Sequence, residues 1–315
     1  MQKSYMRITL RQLQVFQTVC EQRSYSRAAE LLALTQPAVS QQIRQLEELL
    51  EQPLFEYVGK KLYLTHAAEY LRSTAKDVFQ RFDVLDMQLS ELSGTLKGEL
   101  RIAAESSAKY VLPHIIAEFQ RLHPNITPIL NVFNRAQLLR RLNDSRDDLV
   151  IMTDVPSEMA LEFMPFLSNP IVAVVNSDHP LLQITPLTLQ HLADYTLLQR
   201  EIGSGTRRAS ELFCQQKHLQ FNSFVEFNSS EAQREGVSAG LGIAFLPRYC
   251  AFRELQAGSL RELQLKELPI VRSWCLVHPQ QRHLSPAAQA FEDFIVQQRQ
   301  LISRIAAKFA VIAAS

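Results

Sequence analysis

The chain has 315 residues, a formal net charge of +1 and 46% apolar residues. That length fits about two domains with sizeable cores, and the near-neutral balance excludes a bulk basic field as a source of nucleic-acid affinity. With no apolar leader and no uninterrupted apolar run of roughly 18 residues, the expected location is cytoplasmic. The four cysteines, Cys20, Cys214, Cys250 and Cys275, show no CxxC or His-paired spacing, so neither a metal nor any other cofactor is expected.

The first informative stretch is Ser24 to Leu50, SYSRAAELLALTQPAVSQQIRQLEELL. It predicts two helices joined by a tight turn. Val39, Ile43, Leu46 and Leu50 recur at helical spacing and seat against Ala28, Ala29, Leu31 and Leu32 of the first helix. Gln36, Ser40 and Arg44 line up on the opposite side with Gln41 beside them, a face made of hydrogen-bonding groups. Amides read adenine and guanidinium reads guanine, so this face suits a recognition helix in a DNA major groove. Thr35 stands where an N-cap belongs, and Pro37 falls in the first turn, where a missing N–H costs nothing. Arg27, near the start of the first helix, is placed to grip a phosphate.

The run LRQLQVFQTVCEQRSYSRAAELLALTQPAVSQQIRQLEELLEQPLFE resembles the N-terminal winged helix-turn-helix of LysR-type transcriptional regulators, most specifically in TQPAVSQQIRQLE. The following LFEYVGKKLYLT resembles their wing, two short strands about Gly59, with Lys60 and Lys61 at a tip suited to phosphate. The family pattern carries Arg after LFE; here Tyr57 stands there, and it is left out of the expected DNA contacts. Met1 to Thr65 holds eight Lys+Arg against six Asp+Glu, so affinity must come from placed contacts and from dimerisation.

From Thr65 to Leu92 the apolar residues Leu71, Ala75, Val78, Phe82, Leu85, Leu89 and Leu92 step by alternating fours and threes. That is a heptad seam uninterrupted by Gly or Pro, which favours a partner helix. Leu71, Val78, Phe82, Leu85 and Leu89 are therefore the expected dimerisation residues, and the operator is expected to be an interrupted near-palindrome. The resemblance implies that this segment is the linker helix of an antiparallel dimer and that dimers pair into a homotetramer.

Beyond Gly94 and Gly98 the pattern alternates between strands and helices, which predicts an α/β domain with a mostly parallel sheet. A second unit opens near PIVAVV, and WCLVH with a helix from Ser285 returns to the first, as in two-lobed periplasmic-type binding proteins. The stretch resembles the LysR effector-binding domain through GELRIAA, HPL and EGVSAGLGIAFLP. REIGSGTR, NRAQLLRRL, LVIMTDVP, FLSNPIVAVV and LPIVRSWCLVH resemble the branch regulating Calvin-cycle (RuBisCO) operons. Two helix starts, at Ser106 and Ser107 and at Ser204, Gly205 and Thr206, read as an anion cradle flanked by Arg135, Arg200 and Arg207. Asn228 opens a third mouth. The family pattern continues there with an apolar residue and Lys, where this chain has Gln233 and Arg234, a departure that bears on effector preference. The Calvin-cycle resemblance adds a phosphorylated or nucleotide character to the expected anionic effector.

The expected fold is therefore a multidomain α+β chain. It comprises a winged helix-turn-helix over 1–65, a linker and dimerisation helix over 66–93, an effector-binding domain over 94–300, and a tail over 301–315. Lobe I covers about 98–168 and 268–300, and lobe II about 169–267. The expected partners are double-stranded DNA, a small anion and a second copy of the chain, with no membrane. Eight histidines form no nucleophile–base or metal constellation, so no enzyme is expected. A pure solute receptor leaves the first 65 residues without a role. Family relatives that sense peroxide use a cysteine pair in the second domain, which makes Cys214 and Cys250 a minor alternative.

Overall fold

The computed structural model describes residues 4–280 and 283–309 and divides into two compact units, Met1–Asp86 and Met87–Ser315. In the first, a 3-10 turn precedes α1 (Leu10–Gln22), α2 (Tyr25–Leu31), α3 (Gln36–Leu50), and the hairpin β1 (Phe55–Val58) and β2 (Lys61–Leu64), and the long α4 (His66–Leu92) begins there and ends in the second. The caps are made by the residues whose chemistry suits them. Thr9 and Gln12 form a reciprocal capping box on α1, Ser24 Oγ accepts from the Arg27 N–H, and Thr35 Oγ1 accepts from the Ala38 N–H. Val15, Phe16, Val19, Ala28, Val39, Ile43, Leu46 and Leu54 close one core, each large side chain contributing about 1.5–3 kcal/mol. Leu31, expected in that core, is 65% exposed, because the short α2 turns it outward while Leu32 and Leu34 pack inward. Glu47 Oε1 accepts from the Leu54 N–H at 2.7 Å, tying α3 to the start of the wing. In the hairpin, Val58 pairs with Lys61, and Gly59 takes a φ of +64°, which a two-residue turn of matching twist requires.

The second unit holds two lobes. Lobe I contains β3 (Gly98–Glu105), α5 (Leu112–Leu122), β4 (Ile126–Phe133), α6 (Arg135–Asn143), β5 (Leu149–Met152) and β6 (Leu161–Ser168). Lobe II follows with β7 (Ile171–Asn176), β8 (Leu197–Arg200), α7 (Gly205–Gln216), β9 (Phe224–Phe227), α8 (Ser230–Ser238), β10 (Ile243–Pro247), α9 (Phe252–Ala257) and β11 (Leu260–Glu262). The chain then returns to lobe I through β12 (Ser273–Pro279), α10 (Pro286–Gln297) and α11 (Arg299–Ala307). The sheets run β4-β3-β5-β12-β6 and β11-β7-β10-β8-β9. Each has a parallel portion, β4-β3-β5 or β10-β8-β9, completed by antiparallel strands. The two crossovers lie side by side, joined by the Asn169 N–H donating to the Arg272 carbonyl and by pairing of Ile171 with Ile270.

A further expectation changes here. The segment from 301, expected as a tail, continues as α11, with Ile302 and Ile305 buried in the lobe I core; residues 310–315 lie outside the described residues. An amphipathic pattern of only nine residues was too short to be separated from a loose end. Phe309, just past α11, sets its ring against His114 of lobe I and Tyr249 and Phe252 of lobe II, with centroids 5.3–6.0 Å apart.

Candidate functional site

On α3, the core-facing Val39, Ile43 and Leu46 leave Gln36, Gln41 and Arg44 exposed and Ser40 half-exposed on the other side. Gln36 Nε2 donates to Ser40 Oγ at 2.8 Å, so these two side chains hold each other in place before any base is met. Arg27, Thr35, Pro37, Lys60 and Lys61 are also exposed, with Thr35 and Pro37 shaping the start of the reading helix.

Along α4 the heptad seam splits in two. Leu71 packs on the core of its own unit and Ala75 is buried, whereas Val78 is half-exposed and Phe82, Leu85, Leu89 and Leu92 are 46–85% exposed. Met87, outside the seam, joins the lobe I core. The final turns thus have two apolar faces, of which one is covered within the chain. The sequence seam did not separate them because Leu71 and Ala75 share the helical period with residues that face outward.

A cavity of about 390 Å³ opens between the lobes of the second unit, within the roughly 300–1,000 Å³ typical of small-molecule sites. Lobe I lines it with Ser106, Lys109, Val132, Phe133, Asn134 and Gln137, and lobe II with Arg200, Glu201, Asn228, Ser229, Ser230 and Glu231. These residues sit at the ends of β3, β4, β8 and β9, where strand ends meet helix starts. Ser229 Oγ caps α8 by accepting from the Ala232 N–H, and the first turn of α8 faces the cavity. Arg200 is only 3% exposed. Its guanidinium donates to both Glu201 oxygens at 2.8 and 3.1 Å, to Ser230 Oγ at 2.6 Å and to Ser106 Oγ at 3.4 Å. Glu201 also accepts across the cleft from Asn134 Nδ2 at 3.1 Å.

Ser106, Arg200 and Asn228 therefore line this one cavity, and the other residues expected as effector contacts lie elsewhere. Arg135 pairs with Asp154 at 2.8 Å, a carboxylate that also receives Arg208 and Arg272. Arg207 is held by Glu211 and Glu226, and buried Ser107 accepts from Asn169 Nδ2. Ser204, Gly205 and Thr206 do not line the cavity, and the backbone beside them abuts lobe I. The Gly203 carbonyl accepts from the Ala136 N–H, and a Cβ on Gly205 would come within 2.8 Å of Glu105 Oε1. The cradle expected there is filled by the chain's own side chain. Gln233 and Arg234 also point away, to the Leu198 carbonyl and to Glu254 and the Cys250 carbonyl, so the departure at these positions lies outside the cavity lining.

Lys109, Asn134, Glu201 and Glu231 were missed by the sequence reading. Lys109 stands two residues past Ser107, and Glu231 follows Asn228-Ser229-Ser230, so nearness to a helix start was the available signal. A second cavity of about 330 Å³ in lobe II is lined by Asp178, Asp194 and a buried His179, with no Lys or Arg, and does not suit an anion. Burial lowers the His179 pKa and leaves the ring uncharged near neutrality. Burial likewise pushes the Cys214 thiol up to about 11 and Cys250 to about 12, the opposite of a reactive thiolate. Among the described residues no His, Cys, Asp and Glu group is placed to hold a metal, and no helix is long and apolar enough to cross a membrane.

A capped reading helix with a wing, followed by a two-lobed domain with a ligand-sized cleft, defines a DNA-binding transcriptional regulator. A model of the bacterial regulatory helix-turn-helix protein, lysR family, matches residues 10–69, and one of the LysR substrate binding domain matches residues 93–300. The chain belongs to the LysR family. It is 39% identical over 287 residues to a RuBisCO operon transcriptional regulator of Acidithiobacillus ferrooxidans, covering 91% of this chain and 93% of that one. The regulatory domain of CcmR from Synechocystis PCC6803, solved in complex with 2-phosphoglycolate, is 32% identical with a TM-score of 0.61 and covers 64% of this chain and 97% of that one. Full-length CbnR, solved with its target DNA, is 18% identical with a TM-score of 0.70, covers 92% and 99% of the two chains, and supports the fold alone.

Proposed function

We propose that this regulator controls carbon-fixation genes in response to a small phosphorylated acid held between its lobes, and that it has no enzymatic activity of its own. The observation that carries the effector reading is the cavity where Lys109 and Ser106 of lobe I face Ser230 and the first turn of α8. Hydroxyls, an ammonium group and helix N–H groups converging on one small space form an anion site. The 2-phosphoglycolate in the related CcmR domain and the RuBisCO operon named for the Acidithiobacillus relative support both halves of the reading.

On the DNA side, Gln36, Ser40, Gln41 and Arg44 read bases, while Arg27, Lys60 and Lys61 hold phosphates. Thr35 and Pro37 set the start of the helix. The exposed seam from Phe82 to Leu92 pairs two copies of the chain, and dimers pair further into a tetramer, so two heads read an interrupted near-palindrome. Calorimetry of the full chain against 2-phosphoglycolate, sugar bisphosphates, monocarboxylates and nicotinamide nucleotides tests the ligand class. Binding of a phosphate ester that is lost in Lys109→Met supports the site, and a phosphate ester that binds Lys109→Met as tightly as the wild type removes it. Sequencing DNA fragments captured by the protein tests the regulated genes.

A further inference from the structure

The cavity wall carries as many carboxylates as cations, Glu201 and Glu231 against Lys109 and Arg200. Arg200 is buried and engaged by Glu201, Ser230 and Ser106, so it serves as the floor of the cleft. Lys109 is different. About a third of its side chain is exposed, and the anion beside it is Glu231, from the opposite lobe and 40% exposed. Glu231 Oε1 accepts from Lys109 Nζ and from the Tyr110 hydroxyl at 2.8 Å. Glu231 also lies in the first turn of α8, where N–H groups have no acceptor within the helix. Burial works against its charge, but the bonds from Lys109, Tyr110 and its own backbone N–H outweigh that and hold the carboxyl below its usual range.

A lobe I ammonium, a lobe I hydroxyl and a lobe II helix start therefore converge on one carboxylate, which belongs to the protein. Resting on the anionic-effector reading above, we infer that Glu231 stands in for the acid group of the ligand and that binding is an exchange. The ligand's acid group takes Lys109, Tyr110 and the N–H groups of α8, and Glu231 turns out toward solvent. The exchange sets a chemical threshold. A monocarboxylate replaces like with like and gains little, whereas a phosphate monoester brings more charge and a third oxygen to the same donors. Glu231 thus sets a threshold of affinity that a phosphate ester clears more readily than a simple carboxylate.

The test is calorimetry on the full chain with 2-phosphoglycolate, inorganic phosphate and glycolate, comparing the wild type with Glu231→Gln, Glu231→Ala and Lys109→Met. Both Glu231 variants are expected to bind 2-phosphoglycolate about tenfold more tightly. Their affinity for glycolate should rise by the same factor, because the cost of displacing Glu231 is common to every acid that takes its donors. Thermal unfolding of each variant checks that the fold is kept, and Glu231→Ala supplies the answer should the amide of Glu231→Gln form a new bond. If the wild type binds 2-phosphoglycolate, Lys109→Met abolishes it, and neither Glu231 variant tightens it, the exchange is overturned while the anion site stands. If no variant and no wild type binds any of the three probes, the anion site falls and the exchange falls with it.

Discussion

At the scale of single residues, the sharpest consequences attach to Ser40, Arg44 and Glu105. Ser40→Ala removes the hydroxyl that orders Gln36, and Arg44→Ala removes an exposed guanidinium on the same face. Each is expected to weaken a specific operator by about 1–3 kcal/mol while leaving thermal stability and effector binding in place. Gel retardation against specific and random duplexes checks this, and unchanged specific binding in both variants takes α3 out of the reading role. Glu105 makes a stability prediction instead. It is 6% exposed, Oε1 has no hydrogen-bond partner among the described residues, and Oε2 accepts from Thr153 Oγ1 at 3.0 Å. Burial raises its pKa above the ordinary carboxyl range, more than Thr153 and Arg272 lower it. The folded chain therefore keeps a proton that the unfolded chain releases, and its stability falls as pH rises from the ordinary carboxyl range through the raised value. Glu105→Gln keeps the shape and removes that charge. Denaturant midpoints of this variant should fall less than those of the wild type over the same pH rise, and parallel pH profiles would reject the account.

At the scale of elements, α4 and α11 carry the predictions. Phe82 is 48% exposed, so Phe82→Asp leaves each chain able to fold but places a charge in the proposed pairing seam. Sedimentation is expected to show a smaller assembly together with weaker operator binding, and an unaltered mass would mean that the seam pairs with nothing. Ile302 of α11 is 1% exposed within the lobe I core, so Ile302→Ala should cost about 2–5 kcal/mol in denaturant unfolding of the second unit. A loss below 0.5 kcal/mol, the range of ordinary surface substitutions, would return the segment to the status of a tail. Helix α3 was legible because cap, apolar spacing and polar face agreed over 15 residues. The strand β11 and the short helix α9, of three and six residues, were not, since so short an element has little period to display and is shaped by the sheet or lobe it joins.

For the whole molecule, the effector and the operator are expected to be linked. An acid that closes the cleft can change DNA affinity only through a difference in its own affinity for the two states, and the two effects must be equal. Saturating 2-phosphoglycolate should change operator affinity by the same factor by which saturating operator changes 2-phosphoglycolate affinity. Fluorescence titrations with and without the second ligand measure both. Unequal factors would break the thermodynamic cycle of a single coupled assembly, and factors of one would show that the two sites are independent.

The order of elements along the chain, the capped reading helix and the two-lobed α/β domain were set by local chemistry, because caps, apolar periods and turn residues act within a few positions of one another. Ser106, Arg200 and Asn228 were legible for the same reason, each lying beside a strand end and a helix start. Which charges remained available to a ligand was decided only in three dimensions. Arg135 and Arg207 read as open cations in the sequence, yet Asp154 and Glu226, 19 residues away from each, take them up once the sheets form. Lys109 and Glu231 lie 122 residues apart and meet because the chain crosses between lobes and returns beside its first crossing. Charge pairing at that separation follows from topology, and no local pattern of residues contains it.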